Sequence, residues 1–486
     1  MDGLDAKGKP YNRPMLIAIL LVGTFCTVLN QTILATAFPT LMNEFDVTTS
    51  TVQWLTTGFM LVNGILIPVS AWLSSRVNTK WLYIGAIGIF ELGTVLAFIA
   101  PNFGVLLTAR LVQAVGVGVT MPLLQTIMLS IFPPEKRGAS MGLAGLVIGL
   151  APAIGPTLSG WVIDNASWRD LFGMIIPLVG IVFVASFWFM KPVIKTHKSK
   201  IDVLSLILST IGFGGLLYGF STVGDNGWGS TSVLSFLVVG VIFIGLFIWR
   251  QLTMENPFLE LRVFASQEYT IAAVLSSIVN MAMIGVEMIL PMYLQIVRGD
   301  SAFESGLTLL AGALMMGIMS PLTGRLFDIY GAKKLATGGM FLLTLGTIPF
   351  IFLTKDTPTL YITVMYAVRM FGISMVMMPT TTSGMNALPA NLMGHGTAVN
   401  NTARQIASSI VTAVMISVLT NVTTAALPAK SMLKSAPLDY KTKAIDATLS
   451  GYHAAFIIAV GFCVVGLGFS FFLKSKQQVL KNGGNK

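Results

Sequence analysis

Charged residues are scarce in this sequence. They make up 10% of its 486 residues, whereas a soluble domain carries about 25%. So few charges cannot solvate the three soluble domains that this length would otherwise suggest, at about 150 residues per domain. The hydrophobic fraction of 54% instead favours an all-α membrane protein, whose main surroundings are the lipid bilayer.

Cysteine and histidine are also rare, with 2 and 3 copies. Cys26 and Cys463 both fall in apolar runs, which excludes a disulfide framework and a metal-ligand cluster. The apolar runs contain no P-loop and no nucleophile–base pair, which argues against an ATP-driven pump and against an enzyme. We therefore expect no metal and no cofactor.

Fourteen apolar runs are long enough to cross the roughly 30 Å of hydrocarbon in a bilayer. They cover roughly 14–36, 51–74, 81–100, 103–131, 138–163, 169–190, 202–221, 232–251, 269–296, 304–327, 333–353, 359–387, 396–424 and 451–473. We refer to them as spans 1 to 14. An even number of spans places both termini on the same side of the membrane.

The net charge of +10 indicates the topology and not a nucleic-acid partner. If the termini are cytoplasmic, 20 of the 30 Lys and Arg residues lie in cytoplasmic segments, 7 lie outside and 3 lie within spans. This bias follows the positive-inside rule and predicts an N-in, C-in orientation. Four of the seven outer residues fall in one long outer loop, at about 425–450.

The sequence repeats itself at a nearly constant offset. Pro68 and Pro321 are 253 residues apart, and Arg110 and Arg369 are 259 apart. Both members of each pair lie on the same side of the membrane, so spans 1–6 and spans 9–14 form a parallel repeat. Two six-helix halves related in this way are a transporter architecture.

Spans 7 and 8 have no counterpart in this repeat, and they divide the chain into three parts. We expect a first six-helix bundle over 1–198, two inserted helices over 199–262 and a second six-helix bundle over 263–486. A channel with a single path, or a receptor, does not require such a repeat.

The loop between spans 10 and 11 combines glycines, an acid and two bases. Its residues are Gly324, Asp328, Gly331, Lys333 and Lys334. Gly324 lets two helices approach closely, Gly331 permits a tight turn, and Asp328 can cap a helix or pair with a base. The first-half copy is degraded, because Ser75 replaces the acid and Asn78 replaces the second glycine.

Span 5 contains small residues four apart together with two prolines. These are Gly145, Gly149, Pro152, Gly155, Pro156 and Gly160. The small residues permit close contact between helices, and the prolines weaken the hydrogen-bond ladder so that the helix can bend. Ordinary packing of small residues is the alternative explanation of the same pattern.

Two other spans contain polar groups. Span 4 contains Arg110 and Gln113, and span 13 contains Asn401, Arg404 and Gln405. An arginine within hydrocarbon is costly unless it is paired or hydrated, so we expect Arg110 to face the bundle interior. There it would tune the proton affinity of a nearby carboxylate. Arg404 and Gln405 either help to gate the second half or pack helices together.

These motifs resemble those of the major facilitator superfamily, and within it the fourteen-span drug:proton antiporter family that includes lincomycin-resistance type exporters. The loop resembles G-x-L-x-D-x-x-G-x-K-K, and span 4 resembles R-x-x-Q-G-x-G. Span 5 is similar to the antiporter motif, and span 13 to G-T-A-x-x-N-T-x-R-Q. The resemblance implies the major facilitator fold, a conformational latch in the loop and a multi-pass location in a bacterial cell membrane. We expect the protein to function as a monomer.

Span 1 departs from the family pattern, in which it ends with an acid. This chain has Asn30 and Gln31 there, and neither amide binds and releases a proton near neutral pH. Two carboxylates lie well inside spans, Glu91 in span 3 and Glu287 in span 9, and an intramembrane acid is a functional-site hypothesis. Span 9 lines the cavity in the family's fold, while span 3 is peripheral. We therefore expect Glu287 to couple protons, Glu91 to be second and Arg110 to assist; for Glu91, a structural hydrogen bond is the alternative.

The sequence thus favours a secondary multidrug exporter that exchanges amphipathic or cationic drugs for protons by alternating access. A dedicated proton-coupled transporter of one metabolite or antibiotic stays open as the alternative, followed by a membrane enzyme or a receptor. The residues expected to line the substrate cavity are Asn30, Gln31, Gln113, Glu287, Met288, Asn401, Arg404 and Gln405.

Overall fold

The computed structural model describes residues 3–6, 8–34, 37–47, 49–194, 196, 202–255, 257–429, 432 and 436–474. Most of them are helical. A short antiparallel pair of strands, β1 (Gly3–Leu4) and β2 (Pro10–Tyr11), precedes the first helix. The chain is therefore an all-α protein, as its composition predicts.

Fourteen long helices follow one another in the described ranges. They are α1 (Arg13–Thr32), α2 (Thr49–Arg76), α3 (Thr79–Phe98), α4 (Phe103–Ile131), α5 (Arg137–Asn165), α6 (Ile175–Phe189), α7 (Val203–Asn226), α8 (Thr231–Thr253), α9 (Gln267–Tyr293), α10 (Ala302–Tyr330), α11 (Ala332–Thr347), α12 (Thr359–Asn386), α13 (Met393–Ala426) and α14 (Pro437–Ser470). With their short extensions, the fourteen are long and apolar enough to cross a membrane, which confirms the expected number of spans.

Shorter elements connect the long helices. They are Phe38–Phe45, Pro134–Lys136, Asp170–Gly173, Leu261–Ala265, Leu294–Arg298, Ile348–Phe352 and Ala390–Leu392. The N-terminal segment is anchored by a hydrogen bond of 2.8 Å from Ala6 N to Pro192 O, just beyond α6. We call the side of the bundle that carries this contact and the start of α1 the terminal face.

Polar side chains begin several helices where the apolar runs start. The Asn12 side chain accepts from Met15 N at 3.1 Å at the start of α1. Ser301 and Glu304 form a reciprocal capping box at the start of α10. These contacts satisfy backbone N–H groups that have no partner within the helix.

Besides Pro152 and Pro156 in α5, five prolines lie in the interior of long helices. They are Pro68, Pro122, Pro291, Pro321 and Pro379, in α2, α4, α9, α10 and α12. Membrane helices tolerate such prolines because neighbouring groups can satisfy the freed carbonyls. Four of the five form two pairs at equivalent positions of the repeat.

Helices α5 and α10 join the two halves along a seam of small residues. A Cβ atom on Gly142 would lie 2.6 Å from Ser320 O, so the two backbones meet directly. On the other side of the bundle, α13 packs against α2 and α4 of the first half. The two halves are thus in contact along two helix groups.

The extra helices α7 and α8 lie on the outside of this arrangement. Helix α7 packs against α2 and α13, one from each half, and α8 packs mainly on α7. The rings of Trp54 on α2 and Tyr218 on α7 stack with their centroids 5.7 Å apart. Much of α8 presents large apolar side chains outward, among them Val241 and Trp249, as expected of a helix that faces lipid.

The long outer loop expected at about 425–450 is wrong in extent. Helix α13 continues to Ala426, and α14 already begins at Pro437. Lys441 and Lys443 therefore lie on a helix and not in a loop. The polar residues of this first part of α14 obscured its helical character in a search for apolar runs.

Candidate functional site

Arg110 forms a fully buried polar cluster at the centre of the first half. On α4, its Nη1 donates to Asn30 O at 3.1 Å, to the Asn30 side-chain oxygen and to Gln113 Oε1 at 2.9 Å. Its Nε donates to Leu55 O at 3.3 Å, and its guanidinium lies 4.2 Å from the ring centroid of Phe59. Two of the residues expected in the cavity, Asn30 and Gln113, are thus in direct contact with Arg110, which was expected to assist proton coupling.

This cluster differs from the sequence expectation in one respect. Within the described part of the chain, Arg110 makes no salt bridge, and the groups that accept its hydrogen bonds are neutral. The carboxylate whose proton affinity it was expected to tune is not among them. The Asn30 side chain lies beside the guanidinium, at the end of span 1 where the family has an acid. Arg110 is therefore hydrogen-bonded there, but a neutral amide does not balance its positive charge.

Arg369 occupies the corresponding place in the second half. It is fully buried on α12, and its guanidinium donates to Ala282 O on α9 and to Thr347 Oγ1 on α11 at 3.2 Å. In the first half, Gln113 donates to Thr94 Oγ1 at 2.9 Å, and Thr94 and Thr347 are 253 residues apart, the offset of the repeat. Each half therefore joins its first, third and fourth helices through a buried arginine cluster.

Glu287 lies next to this second cluster and not next to Arg110. It is half-buried on α9, close to Arg369 and Tyr366 on α12. Its Oε2 atom and the Nη1 atom of Arg369 are buried and have no hydrogen-bond partner among the described residues. Sequence reasoning missed Arg369 as the cation beside the candidate acid, although its offset from Arg110 was the available signal.

Helix α9 presents a half-buried stripe on which Glu287 lies. Ser277, Met281, Ile284 and Met288 are partly exposed at helical spacing, and Glu287 adjoins them. The opposite side of α9 packs against α12, α13 and α14 of its own half. A stripe of side chains that are partly buried and partly exposed suits a helix that borders a cleft.

Glu91 lies at the edge of the first half. Its Oε1 atom is 3.7 Å from the position of a Cβ atom on Gly180 of α6, and its charge interacts with Cys26 of α1. The Oε2 atom is buried without a hydrogen-bond partner, so the structural hydrogen bond considered from the sequence does not satisfy that oxygen. The helix that carries Glu91 packs against helices of the first half, whereas Glu287 and Arg369 lie in the second half.

Arg404 joins α13 to two other helices of the second half. Its Nη2 atom donates to Asn280 Oδ1 on α9 at 3.2 Å and lies 3.8 Å from Met377 Sδ on α12. Asn280 returns a hydrogen bond of 3.1 Å to Arg404 O and donates to Ser408 Oγ at 2.6 Å. The side chain of Arg404 is half-buried.

The other expected cavity residues lie near the boundary between the halves. Asn401 on α13 donates to Gln125 Oε1 on α4 at 2.9 Å, which joins the two halves directly. The Cγ atom of Gln405 is 3.1 Å from the position of a Cβ atom on Gly64 of α2. Gln31 is half-buried on α1.

The glycines of the span-5 motif provide close helix contacts, as their spacing predicts. Added Cβ atoms would lie 2.8 Å from Met378 Cγ at Gly145 and 3.0 Å from Met316 Cγ at Gly149. At Gly155 an added Cβ would collide with Thr32 Oγ1 of α1.

The rest of the motif differs. Gly160 has open space around it, so its side of α5 makes no such contact. Pro152 O accepts a hydrogen bond of 3.4 Å from Thr32 Oγ1, which gives one freed carbonyl of the helix a partner in α1. The side chain of Pro156 lies outside the described residues.

The Asp328 carboxylate bridges the two halves at the terminal face. Its two oxygens accept hydrogen bonds of 3.0 Å each from Gly138 N and Ala139 N, in the first turn of α5. Carboxylates are stabilised at this end of a helix by its dipole. Gly324 packs directly on Gly138, and Gly331 adopts a φ of +81°, the turn that its sequence position predicts. Lys333 is half-buried and Lys334 exposed in the first turn of α11.

Ser75, the first-half counterpart of Asp328, makes no such bridge to another helix within the described residues. Ser75 is 253 residues before Asp328, and its hydroxyl donates to Trp72 O of its own helix at 2.8 Å. A cavity of about 340 Å³ lies there, and its lining includes Ser74, Ser75, Gly394 and His395. Gly394 is 256 residues after Gly138. The terminal-face contact is therefore asymmetric between the two repeats.

Comparisons with known proteins agree with this architecture. The sequence model of the Major Facilitator Superfamily matches residues 20–412. The chain is 49% identical to the uncharacterized MFS-type transporter YcnB of Bacillus subtilis over 97% of each chain. It is 40% identical to the lincomycin resistance protein LmrB of Listeria innocua, over 97% of this chain and 99% of that one.

Solved structures show the same fold at low sequence identity. The human organic anion transporter MFSD10 matches with a TM-score of 0.65 at 12% identity, over 94% of this chain and 99% of that one. The proton:xylose symporter XylE matches with a TM-score of 0.64 at 11% identity, over 95% and 96%. This chain belongs to the Major Facilitator Superfamily and is a multi-pass transporter of a bacterial cell membrane, not an enzyme.

Proposed function

We propose that this transporter is a secondary multidrug exporter that exchanges amphipathic or cationic drugs for protons by alternating access. The observation that carries the proposal is the placement of Glu287, a carboxylate with an unpartnered oxygen on the half-buried stripe of α9. An ionisable group at that depth is expensive to keep, which favours a working role.

Glu287 is the candidate for the proton-binding group because the first-half amides cannot titrate. Asn30 is held by Arg110, whereas Glu287 makes no salt bridge among the described residues. A protonated Glu287 is neutral, and a deprotonated one attracts a cation. Drug and proton therefore compete for one group, and this competition couples their movements because each ligand lowers the occupancy of the other. Glu91 is the second candidate.

The terminal-face contacts supply the conformational part of the proposal. The hydrogen bonds from Gly138 and Ala139 to Asp328 hold α5 and α10 together at this end. An inward-facing state requires these bonds to break while the two halves rock apart. The close glycine contacts of α5 with α1 and α10 would then serve as the pivot.

The names of relatives support export of drugs. Two relatives at 40% and 42% identity, from Listeria innocua and Bacillus subtilis, are called lincomycin resistance proteins. A relative from Mycobacterium tuberculosis, 26% identical over 84% of this chain, is called a multidrug resistance protein. These names state resistance to drugs, which a transporter can provide by exporting them. We therefore propose drug export for this chain, with lincomycin as the first substrate to test.

A dedicated transporter of one compound is the alternative. The relative named riboflavin transporter RibZ, from Clostridioides difficile, is 24% identical over 95% of this chain. Its lower identity makes this the second choice. A panel of unrelated drugs separates the two, because a dedicated transporter would move one compound and ignore the rest.

We further propose that the termini are cytoplasmic and that the chain acts as a monomer. The division into 1–198, 199–262 and 263–486 accompanies this proposal. The contacts of α7 with both halves support this division, as do the two equivalent arginine clusters, one in each half.

The test is transport by the purified chain in liposomes with and without an imposed proton gradient. An exchanger moves lincomycin or a cationic dye against its concentration gradient only when the proton gradient is present and oppositely directed. A protonophore should abolish this movement. Uphill transport that persists with the protonophore, or no transport of any drug, would contradict the proposal.

A further inference from the structure

Among the arginines deep in the described membrane helices, Arg404 is the one that is not fully buried. Arg110 and Arg369 are fully buried, whereas Arg404 is half-buried. Its Nη2 atom contacts Asn280 and Met377, but its Nε atom is buried without a hydrogen-bond partner. In the described part of the chain it makes no salt bridge. A cation with an unused donor at this depth is costly, and an acceptor brought by a substrate would lower that cost.

Arg404 belongs to a polar face of α13 that extends to the first half. Asn401, Arg404, Gln405 and Ser408 lie on one face of α13, because residues three, four and seven apart align on a helix. Asn401 is hydrogen-bonded to Gln125 of the first half. This polar face of α13 therefore lies along the boundary between the two halves, where alternating access opens the path.

The Glu287 carboxylate and the Arg404 guanidinium lie at different heights along α9. Asn280, which holds Arg404, and Glu287 are seven residues apart on α9. Seven residues are two helical turns, or about 10 Å along the axis, and they place both side chains on the same face. On α12, Met377 lies at the level of Arg404, and Arg369, eight residues earlier, lies at the level of Glu287. The second half thus offers a negative group, Glu287, and a positive group held by Asn280, at two levels that are about 10 Å apart along α9.

We propose that this face is a two-point site for a bipolar substrate, in which Glu287 binds a basic nitrogen and Arg404 binds an acceptor-rich group. The acceptor-rich group is a cluster of hydroxyl, carbonyl or carboxylate oxygens about 10 Å from the nitrogen. A guanidinium has five N–H donors and no acceptor, so it selects such oxygens. The thioether of Met377 gives the intervening apolar part an adaptable contact. The inference rests on the exporter function proposed above and names its substrate class.

The test compares two probes on the full-length protein in liposomes. Lincomycin carries a basic amine and a hydroxyl-rich sugar, whereas tetraphenylphosphonium is a cation with no acceptor group. We expect Arg404→Gln to weaken the apparent affinity for lincomycin by about tenfold or more, since hydrogen bonds to charged groups have effects of this size. The affinity for tetraphenylphosphonium should stay within about twofold of wild type, because that probe uses only Glu287.

Two further variants complete the comparison. Arg404→Lys keeps the charge but loses the planar fork, so lincomycin affinity should fall between those of wild type and Arg404→Gln. Lys441→Gln makes the same change in net charge at an exposed site on α14 and should affect neither probe. Thermal unfolding of each variant checks that it is folded, and Arg404→Lys replaces Arg404→Gln if the latter is not.

The outcomes are distinct. Equal losses for both probes would show that Arg404 only packs helices together, and they would overturn the two-point site. A wild-type protein that exports tetraphenylphosphonium but ignores lincomycin would also overturn it, while leaving the exporter function intact. If neither probe responds to a proton gradient in the wild type, the proposed function fails first.

Discussion

Asp328→Asn is predicted to loosen the terminal face of the transporter. The carboxylate accepts one hydrogen bond from Gly138 N and one from Ala139 N, each of 3.0 Å. An asparagine keeps one side-chain acceptor and loses the charge, so about one charge-assisted hydrogen bond disappears. Such a bond contributes about 1.5–3 kcal/mol, and the interaction of the charge with the helix dipole adds about 0.3–1 kcal/mol.

We take about 2 kcal/mol as the net loss, because Asp328 is only half-buried and water screens part of the effect. That free energy changes the ratio of closed to open states about 30-fold. Spin labels at the exposed positions 136 and 330, one in each half, report the separation of the halves at the terminal face. We expect the distance distribution of Asp328→Asn to shift toward longer distances.

Ser75→Ala is the matched control, because among the described residues the hydroxyl of Ser75 bonds to Trp72 O of its own helix, at 2.8 Å, and to no other helix. It should leave the distance distribution unchanged and reduce drug export less than Asp328→Asn does. Identical distributions and equal export for the two variants would show that both loops are connectors and would refute the reasoning.

Three further outcomes are expected. Gly324→Ala should impair folding or transport, since an added Cβ collides with the facing backbone of α5; transport equal to wild type would contradict that contact. The hydrogen-bonded Arg250 guanidinium lowers the pKa of Asp202 to about 2, so Asp202→Asn should destabilise at pH 7, measured by thermal unfolding. The stabilisation by Asp202 is complete above its unfolded pKa of about 4 and is lost as the pH falls toward 2, so an equal destabilisation at pH 2 would refute the pairing. Finally, in a cysteine-free background, Leu438→Cys should be labelled from outside the cell and Tyr330→Cys from the cytoplasm; both are exposed, and the reverse pattern would overturn the orientation.

The number of helices could be predicted from the sequence because each span is a long apolar run and lipid enforces helical structure. The span-5 glycines and the Asp328 loop were also predictable, since close approach and helix capping depend on local residue types. The long outer loop was misjudged because α14 begins with a polar segment. Helical propensity there is independent of hydropathy, so a search for apolar runs could not find it.

The neighbours of the buried charges were harder to predict. The sequence places Arg110, Arg369, Glu91 and Glu287 within spans, but depth alone does not show which of them meet. The direction of each side chain around its helix decides that, together with the packing of α9 against α12. The repeat offset between the two arginines held the relevant information, because it places Arg369 in the half that contains Glu287.

The most direct test of the central claim is drug export by Glu287→Gln in liposomes under an imposed proton gradient. We predict that this variant loses uphill export, while Glu255→Gln, a change at an exposed loop position, behaves as wild type. Glu91→Gln should keep at least part of the coupling, because Glu91 is peripheral. Normal proton-driven export by Glu287→Gln together with an inactive Glu91→Gln would contradict the account, and coupling that survives in both variants would place the proton site outside these two carboxylates.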